Sequence, residues 1–185
     1  MSIRRFLDRW FGKSEKDAQA QRLADALLTH ARDPWFYVEA GMPDTLDGRY
    51  SVVVLHLWML SKTLRRRGSW GVALAQDTFD ATLDQIERGL REAGVGDIAI
   101  PKRLAKLTRI FHGHAKAFDA ALETAEPARE IGETVKRNLT DSAGLDAKRI
   151  GEWTLSAWGS IDAAADDRFA RADLPWSVGA KEPAS

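Results

Sequence analysis

The sequence predicts an all-helical protein, folded as a single compact domain of about six to seven helices with a short amphipathic helix at the N-terminus. Its 28 Ala and 19 Leu, against 8 Val and 8 Ile, favour helix over strand. Apolar residues recur at helical spacing along most of the chain, and no segment alternates apolar and polar residues for long enough to indicate a sheet. A length of 185 residues with 44% hydrophobic content fits one domain that buries its own core.

Residues 3–11 are predicted to form the amphipathic helix, because five apolar side chains fall on one face and three arginines on the other. Two alternatives fit this pattern. The helix either binds an anionic membrane reversibly, with Phe6 and Trp10 among its contacts, or folds onto the core of the domain. The predicted organisation is an arm over residues 1–13, a helical domain over 14–172 and a tail over 173–185.

A helix over about 15–31 is followed by a short aromatic helix. Asp33 is expected to cap this second helix, with Pro34 at its first position. The next three residues are aromatic and consecutive, so on a helix they cover about 200° of arc and cannot all face one core. At least one of them is therefore expected to be partly exposed and to mark a contact surface.

Five further helices are predicted in the rest of the chain. The most apolar run is the nine residues 52–60, which include His56. A membrane span needs about 20 apolar residues, so this run predicts a buried core helix instead. The five predicted helices cover residues 45–67, 72–93, 101–124, a segment opened by Pro127, and 146–164.

A row of basic residues lies along the predicted helix 101–124, at Lys102, Lys106, Arg109 and Lys116. Such a row can meet the phosphates of RNA or of anionic lipid, although a solvated face is the ordinary role of exposed charges. No module that reads bases accompanies it, so sequence-specific nucleic acid is not an expected partner.

The sequence offers little for catalysis or for a metal site. Cys is absent, which excludes disulfides, thiol nucleophiles and Cys-ligated metals. His112 and His114 point about 200° apart on a helix, and His114 is expected in the core. Two Asp-x-x-x-Asp elements, which begin at Asp80 and Asp162, resemble the acidic motifs that hold magnesium and a prenyl diphosphate in helical enzymes. Solvated helix faces explain the same residues, so no metal or cofactor is expected.

Several motifs occur together in the first three quarters of the chain. These motifs are GMPDTLDGRY at 41–50, LH at 55–56, REAGVGD at 91–97, PK at 101–102 and KRNL at 136–139. Together they resemble the ubiquinol–cytochrome c chaperone family, a set of assembly factors for respiratory complex III. The resemblance covers about residues 20–140 and weakens beyond about 145. It departs from the family pattern at His114, where Arg is expected after the glycine.

This resemblance implies a chaperone without enzymatic activity, whose partner is newly made cytochrome b and which supports assembly of the cytochrome bc1 complex. No signal or transit peptide is evident at the N-terminus, so the expected location is the cytoplasm, including the cytoplasmic face of the inner membrane. The ribosome and an anionic membrane surface are further expected partners. The alternatives are a general membrane-surface or ribosome-adjacent adaptor and a magnesium-dependent enzyme that handles prenyl diphosphates.

The client site is predicted along the aromatic helix and the motif loop that follows it. The loop residues also have expected structural roles, since Asp44 or Thr45 can cap the next helix, Gly48 permits close packing, and Arg49 can pair with Asp44 or Asp97. The expected client contacts are Trp35, Phe36, Tyr37, Asp44, Asp47, Arg49, Gly96 and Asp97. The expected contacts with a polyanion or membrane are Phe6, Trp10, Lys102, Lys106 and Arg109.

Overall fold

In the computed structural model, which describes residues 15–139 and 142–176, every regular element is a helix, as predicted. The predicted arm, with Phe6 and Trp10, lies outside the described residues. The eight helices described are α1 (Glu15–His30), α2 (Pro34–Val38), α3 (Leu46–Arg65), α4 (Gly68–Glu92), α5 (Ala99–Ala121), α6 (Pro127–Arg137), α7 (Ala147–Asp162) and α8 (Asp166–Arg171).

Helix α3 is the centre of the domain. Every residue from Tyr50 to Ser61 is buried, because α1, α4, α5 and α7 pack around it. This environment explains why the run at 52–60 is apolar on all sides rather than on one stripe. No helix within 15–139 and 142–176 has both the length and the apolar character needed to cross a bilayer.

The corner between α3 and α4 is tighter than the sequence predicted. Helix α4 begins at Gly68 rather than at 72, so only Arg66 and Arg67 separate the two helices. Gly68 has φ +80, a backbone conformation that residues with a side chain rarely adopt. A Cβ on Gly71 would lie 2.0 Å from the carbonyl oxygen of Leu64. The two glycines therefore let α4 start early and turn back against α3.

Helix α8 was not predicted, because six residues are too few to show a helical period. Its Phe169 is fully buried, and the guanidinium of Arg67 lies 4.6 Å from the centroid of that ring. Ala172 then adopts φ 54 and ends the helix. Beyond it Leu174 is buried and Trp176 packs on the core, so the packed chain reaches residue 176 rather than 172.

Candidate functional site

Helix α2 places its aromatic residues in two different environments. The carboxylate of Asp33 accepts a 2.9 Å hydrogen bond from the Trp35 amide, so Asp33 caps the helix as predicted. Phe36 is fully buried, with its ring centroid 4.7 Å from that of Trp153. Phe36 is therefore part of the core and offers no surface, whereas Trp35 and Tyr37 are half-buried. The candidate contacts on α2 are the two latter residues.

Tyr37 is held from both sides. Its hydroxyl donates a 2.8 Å hydrogen bond to the Ala31 carbonyl, and the guanidinium of Arg49 lies 5.4 Å from its ring centroid. The Nε of Arg49 in turn donates to the Asp44 carboxylate at 2.6 Å, which raises the pKa of the guanidinium. Burial raises the pKa of the Tyr37 phenol. Arg49 thus pairs with Asp44, one of its two predicted partners.

Two exposed apolar residues flank this aromatic and cationic group along the chain, Val38 next to Tyr37 and Leu46 one helical turn before Arg49. Val38 ends α2 and is 79% exposed, and Leu46 begins α3 and is 41% exposed. We call the surface formed by Trp35, Tyr37, Val38, Leu46 and Arg49 the ledge. Val38 and Leu46 were not among the predicted contacts. The one feature of the sequence that could have indicated these two residues is their position, since an apolar side chain stands at each end of the loop that joins α2 to α3.

The motif loop, residues 41–50, follows α2 and includes the first turn of α3. It is shaped by close backbone contacts. The hydroxyl of Thr45 accepts a 3.2 Å hydrogen bond from the Gly48 amide, so Thr45, rather than Asp44, caps α3. A Cβ on Gly48 would lie 1.9 Å from the Pro43 carbonyl oxygen. A Cβ on Gly41, which has φ +70, would lie 1.9 Å from the Gly144 carbonyl oxygen. The predicted close packing at Gly48 is confirmed.

Asp47 links the motif loop to α5 through a 2.7 Å ion pair with Lys106. Gly96 and Asp97 lie instead in the exposed turn before α5, where Asp97 forms an ion pair with Arg91 at 3.7 Å. Four of the predicted loop and turn residues are therefore divided between two places, with Asp44, Asp47 and Arg49 at the motif loop and Asp97 at the turn.

A histidine pair lies under α2, with His56 buried and His30 half-buried. His56 Nδ1 lies 2.7 Å from the Val52 carbonyl, which only accepts, so Nδ1 carries the proton and Nε2 accepts a 2.8 Å hydrogen bond from His30 Nδ1. Burial, with His30 as a second cause, lowers the pKa of His56 to about 3. Burial also lowers the pKa of His30, opposed by the Asp33 carboxylate.

Aromatic rings enclose that pair and tie it to the C-terminal part of the chain. The His30 ring stacks on Trp153 and on Trp176, with centroid distances of 6.2 and 5.5 Å. The pair could not be predicted from the sequence, since the two histidines are 26 residues apart. Both rings serve the packing beneath the ledge.

Of the two acidic elements that resembled a magnesium motif, the second is already paired, whereas Asp80 of the first accepts a hydrogen bond from Gln76 at 3.2 Å. Asp162 forms an ion pair with Arg66 at 3.3 Å and accepts a hydrogen bond from Thr63, and Asp166 pairs with Arg67. Within residues 15–139 and 142–176, no three His, Asp or Glu side chains are grouped so that they could hold a metal ion.

A family model described as ubiquinol-cytochrome C chaperone matches residues 38–176, well over half of the chain. The chain belongs to this family. The match includes the motif loop, Val38, Leu46 and Arg49 of the ledge, and all of α5. It also extends through α7, so the expectation of a poor match beyond about 145 is wrong. The early part of the expected resemblance, residues 20–37, lies outside the match.

Curated relatives carry names from the same assembly process. Ubiquinol-cytochrome-c reductase complex assembly factor 1 of Xenopus laevis is 20% identical over 115 residues, which is 62% of this chain and 56% of the frog protein. The mouse protein of that name, from Mus musculus, is 23% identical over 87 residues, 47% of this chain and 30% of its own. The chain thus matches about half, or less, of the length of these family members.

A solved structure resembles the whole fold of this family member. The crystal structure of the Cbp3 homolog from Brucella abortus gives a TM-score of 0.74 at 27% sequence identity. The superposition covers 96% of this chain and 97% of that one. The arrangement of helices that positions the ledge is therefore shared with that crystal structure.

Proposed function

We propose that this chain is a non-enzymatic assembly chaperone that binds newly made cytochrome b and supports assembly of the cytochrome bc1 complex. Membership in the ubiquinol-cytochrome C chaperone family supports the class of function. The observation that carries the choice of surface is the ledge, where exposed apolar side chains lie beside a cation and an aromatic ring.

The ledge has the chemistry that an unassembled membrane segment requires. Val38 and Leu46 offer apolar area, and burying apolar surface contributes about 25 cal/mol per Å² before the costs of association. Arg49 and Asp44 supply donors and acceptors for the polar loops that flank such a segment. Because Phe36 and the histidine pair lie directly beneath, the ledge rests on a packed base rather than on a loop.

The place of action that fits this client is the cytoplasmic face of the inner membrane. There the chaperone receives cytochrome b close to the point where it is made and inserted. Under this proposal the predicted arm, residues 1–13, contributes a reversible membrane contact. Flotation of the intact protein with liposomes, compared with a variant that lacks residues 1–13, tests the arm, and equal flotation contradicts it.

Site-specific photocrosslinking tests the ledge directly. A photoreactive amino acid at position 38 or 46 is expected to crosslink newly made cytochrome b in cells. Position 72 on α4 is a matched control, since Val72 is 44% exposed and Leu46 is 41% exposed. Crosslinks of equal yield from all three positions, or crosslinks to unrelated membrane proteins in place of cytochrome b, would overturn the assignment.

A further inference from the structure

Helix α5 is the most cationic element described in a chain whose net charge is zero. Its sequence contains five basic residues and one acidic residue, Asp119. The Asp119 carboxylate already accepts hydrogen bonds from Lys62 at 2.8 Å and from the Trp58 indole at 3.0 Å. It therefore does not neutralise the basic residues of its own helix.

Three of these cations form an exposed row without ion-pair partners in the described residues. Lys102, Arg109 and Lys116 are each seven residues apart, so they lie within about 40° of one another around the helix and span about 21 Å along it. Lys106 differs from them, because it pairs with Asp47. The cations available to an external partner are therefore Lys102, Arg109 and Lys116, whereas Lys106, one of the expected contacts, is already paired.

An exposed apolar side chain lies at the N-terminal end of this row. Ile98 precedes Lys102 by four residues, at the N-terminal border of α5, and is 85% exposed. The aromatic residues of α5 point the other way, since Phe111 and Phe118 are buried. Gly113 and Ala105, also exposed, leave the face between the cations without bulky side chains.

We propose that this face of α5 docks the protein on an anionic lipid bilayer, with Lys102, Arg109 and Lys116 at the headgroup phosphates and Ile98 in the interfacial layer. A planar anionic surface meets all three cations of a straight row at once. The exposed Ile98 finds apolar surroundings in a bilayer, whereas a phosphate backbone offers none. RNA is disfavoured because the row exposes no aromatic residue other than His112 on which bases could stack.

The ion pair between Lys106 and Asp47 connects this face to the motif loop. A protein that lies on the bilayer through α5 would therefore hold the ledge beside the membrane surface. This orientation rests on the proposed function, whereas the docking itself does not.

Binding to vesicles measures the docking without any client. The full chain is expected to bind vesicles of phosphatidylcholine and phosphatidylglycerol and to leave vesicles of phosphatidylcholine alone unbound. Each basic residue near an anionic surface contributes about fivefold, so the variant Lys102→Gln, Arg109→Gln, Lys116→Gln should bind about 100-fold more weakly. Ile98→Ser should weaken binding roughly tenfold with no change in charge.

Two control variants isolate the face from net charge and from folding. Arg129→Gln, Lys136→Gln, Lys148→Gln removes the same charge from the exposed surfaces of α6 and α7 and should bind as the parent does. Lys102→Arg, Arg109→Lys, Lys116→Arg keeps the charges and should also bind as the parent. Thermal unfolding of every variant should match the parent, because exposed charges contribute little to stability.

The proposal is overturned if the α5 triple variant binds anionic vesicles as tightly as the parent, or no more weakly than the α6–α7 variant. It is also overturned if the triple substitution abolishes binding to polyuridylate but leaves vesicle binding unchanged, since RNA would then be the partner of the row. Neither outcome depends on cytochrome b, so failure here leaves the client assignment standing.

Discussion

The motif loop and the exposed face of α5 both contain charged residues, but those of the loop are paired within the protein, whereas in the described part of the chain the three cations of α5 are not. In the loop, Arg49 pairs with Asp44, Thr45 caps α3, and Gly48 packs against Pro43. On α5, Lys102 and its two companions have no ion pair among the described residues. The polar residues of the loop therefore act first on the shape of the ledge, whereas those of α5 are available to a partner. Substitutions at the packed residues in and beneath the loop should change stability, and substitutions on α5 should change binding.

Phe36 and Ile98 give the largest expected contrast. Phe36→Ala should lower the free energy of unfolding by about 3–5 kcal/mol, because it leaves a cavity among the Trp153, His30 and His56 rings. Ile98→Ala should change the free energy of unfolding by less than about 0.5 kcal/mol, since that side chain is 85% exposed. Denaturant titration measures both. Similar losses for the two variants would erase the distinction between the regions.

The same substitution at two helical glycines should have opposite signs. Gly48→Ala should destabilise the protein by about 3 kcal/mol, because the new Cβ would lie 1.9 Å from a backbone oxygen that must move. Gly113→Ala on α5 meets nothing within 4 Å and should stabilise it by about 0.5–1 kcal/mol. The midpoints of thermal unfolding should move in opposite directions. A Gly48→Ala variant as stable as the parent would show that Gly48 is not tightly packed against Pro43.

The histidine pair should make the protein sensitive to acid. The pKa of His56 is about 3 in the folded chain and 6.5 when unfolded, so the unfolded state takes up more protons as the pH falls below 6.5. The stability that neutral His56 contributes is therefore complete above pH 6.5 and is lost as the pH falls towards 3. The free energy of unfolding should decrease by about 2 kcal/mol between pH 7 and pH 5. His30 faces this group and shifts in the same direction, opposed by Asp33.

Denaturant titration of a His56→Gln variant at several pH values checks this prediction. The variant should be less stable at pH 7 and should lose less stability between pH 7 and pH 5 than the parent does, because only His30 and His114, whose pKa values burial also lowers, still contribute. His112→Gln on the exposed side of α5 is the matched control and should keep the acid response of the parent. An unchanged acid response in His56→Gln would assign the effect to other groups.

Only a small change in stability is expected at Arg49. Its ion pair with Asp44 is half exposed, so Arg49→Ala should lower the free energy of unfolding by only about 0.5 kcal/mol. Capture of cytochrome b should fall much more, because the ledge loses its cation. Arg129→Ala breaks another exposed pair, with Glu126, and should leave capture intact. If capture falls only in proportion to stability, or equally in both variants, Arg49 is structural.

Local features of the fold could be predicted from the sequence. Asp33 followed by Pro34 marked the start of α2, and Thr45 lay within reach of the α3 amides, because caps act over three residues. The periodic helices were recovered with their ends displaced by at most four residues. The long apolar run was correctly assigned to the core, since its length excluded a membrane span.

Features that depend on distant parts of the chain could not be predicted. The contact between Lys106 and Asp47 joins residues 59 apart, and the close approach of Gly41 to Gly144 joins two loops of different helices. The three consecutive aromatics were predicted to diverge, with at least one exposed, and Phe36 was among the expected client contacts. Only the packed position of Trp153 decides that Phe36 is the one that faces inward. Tertiary packing, rather than helical period, selected the ledge residues.

The base of the ledge is completed by chain that is synthesised late. The Asp146 amide donates to the Ala40 carbonyl at 3.0 Å, and the Arg149 side chain donates to the Glu39 carbonyl 110 residues earlier. Translation must therefore pass Trp153 before α2 acquires its support, and closing so long a loop is slow. During its own synthesis the protein therefore has no finished ledge, and a truncation before α7 would remove the support of the ledge without removing a single ledge residue.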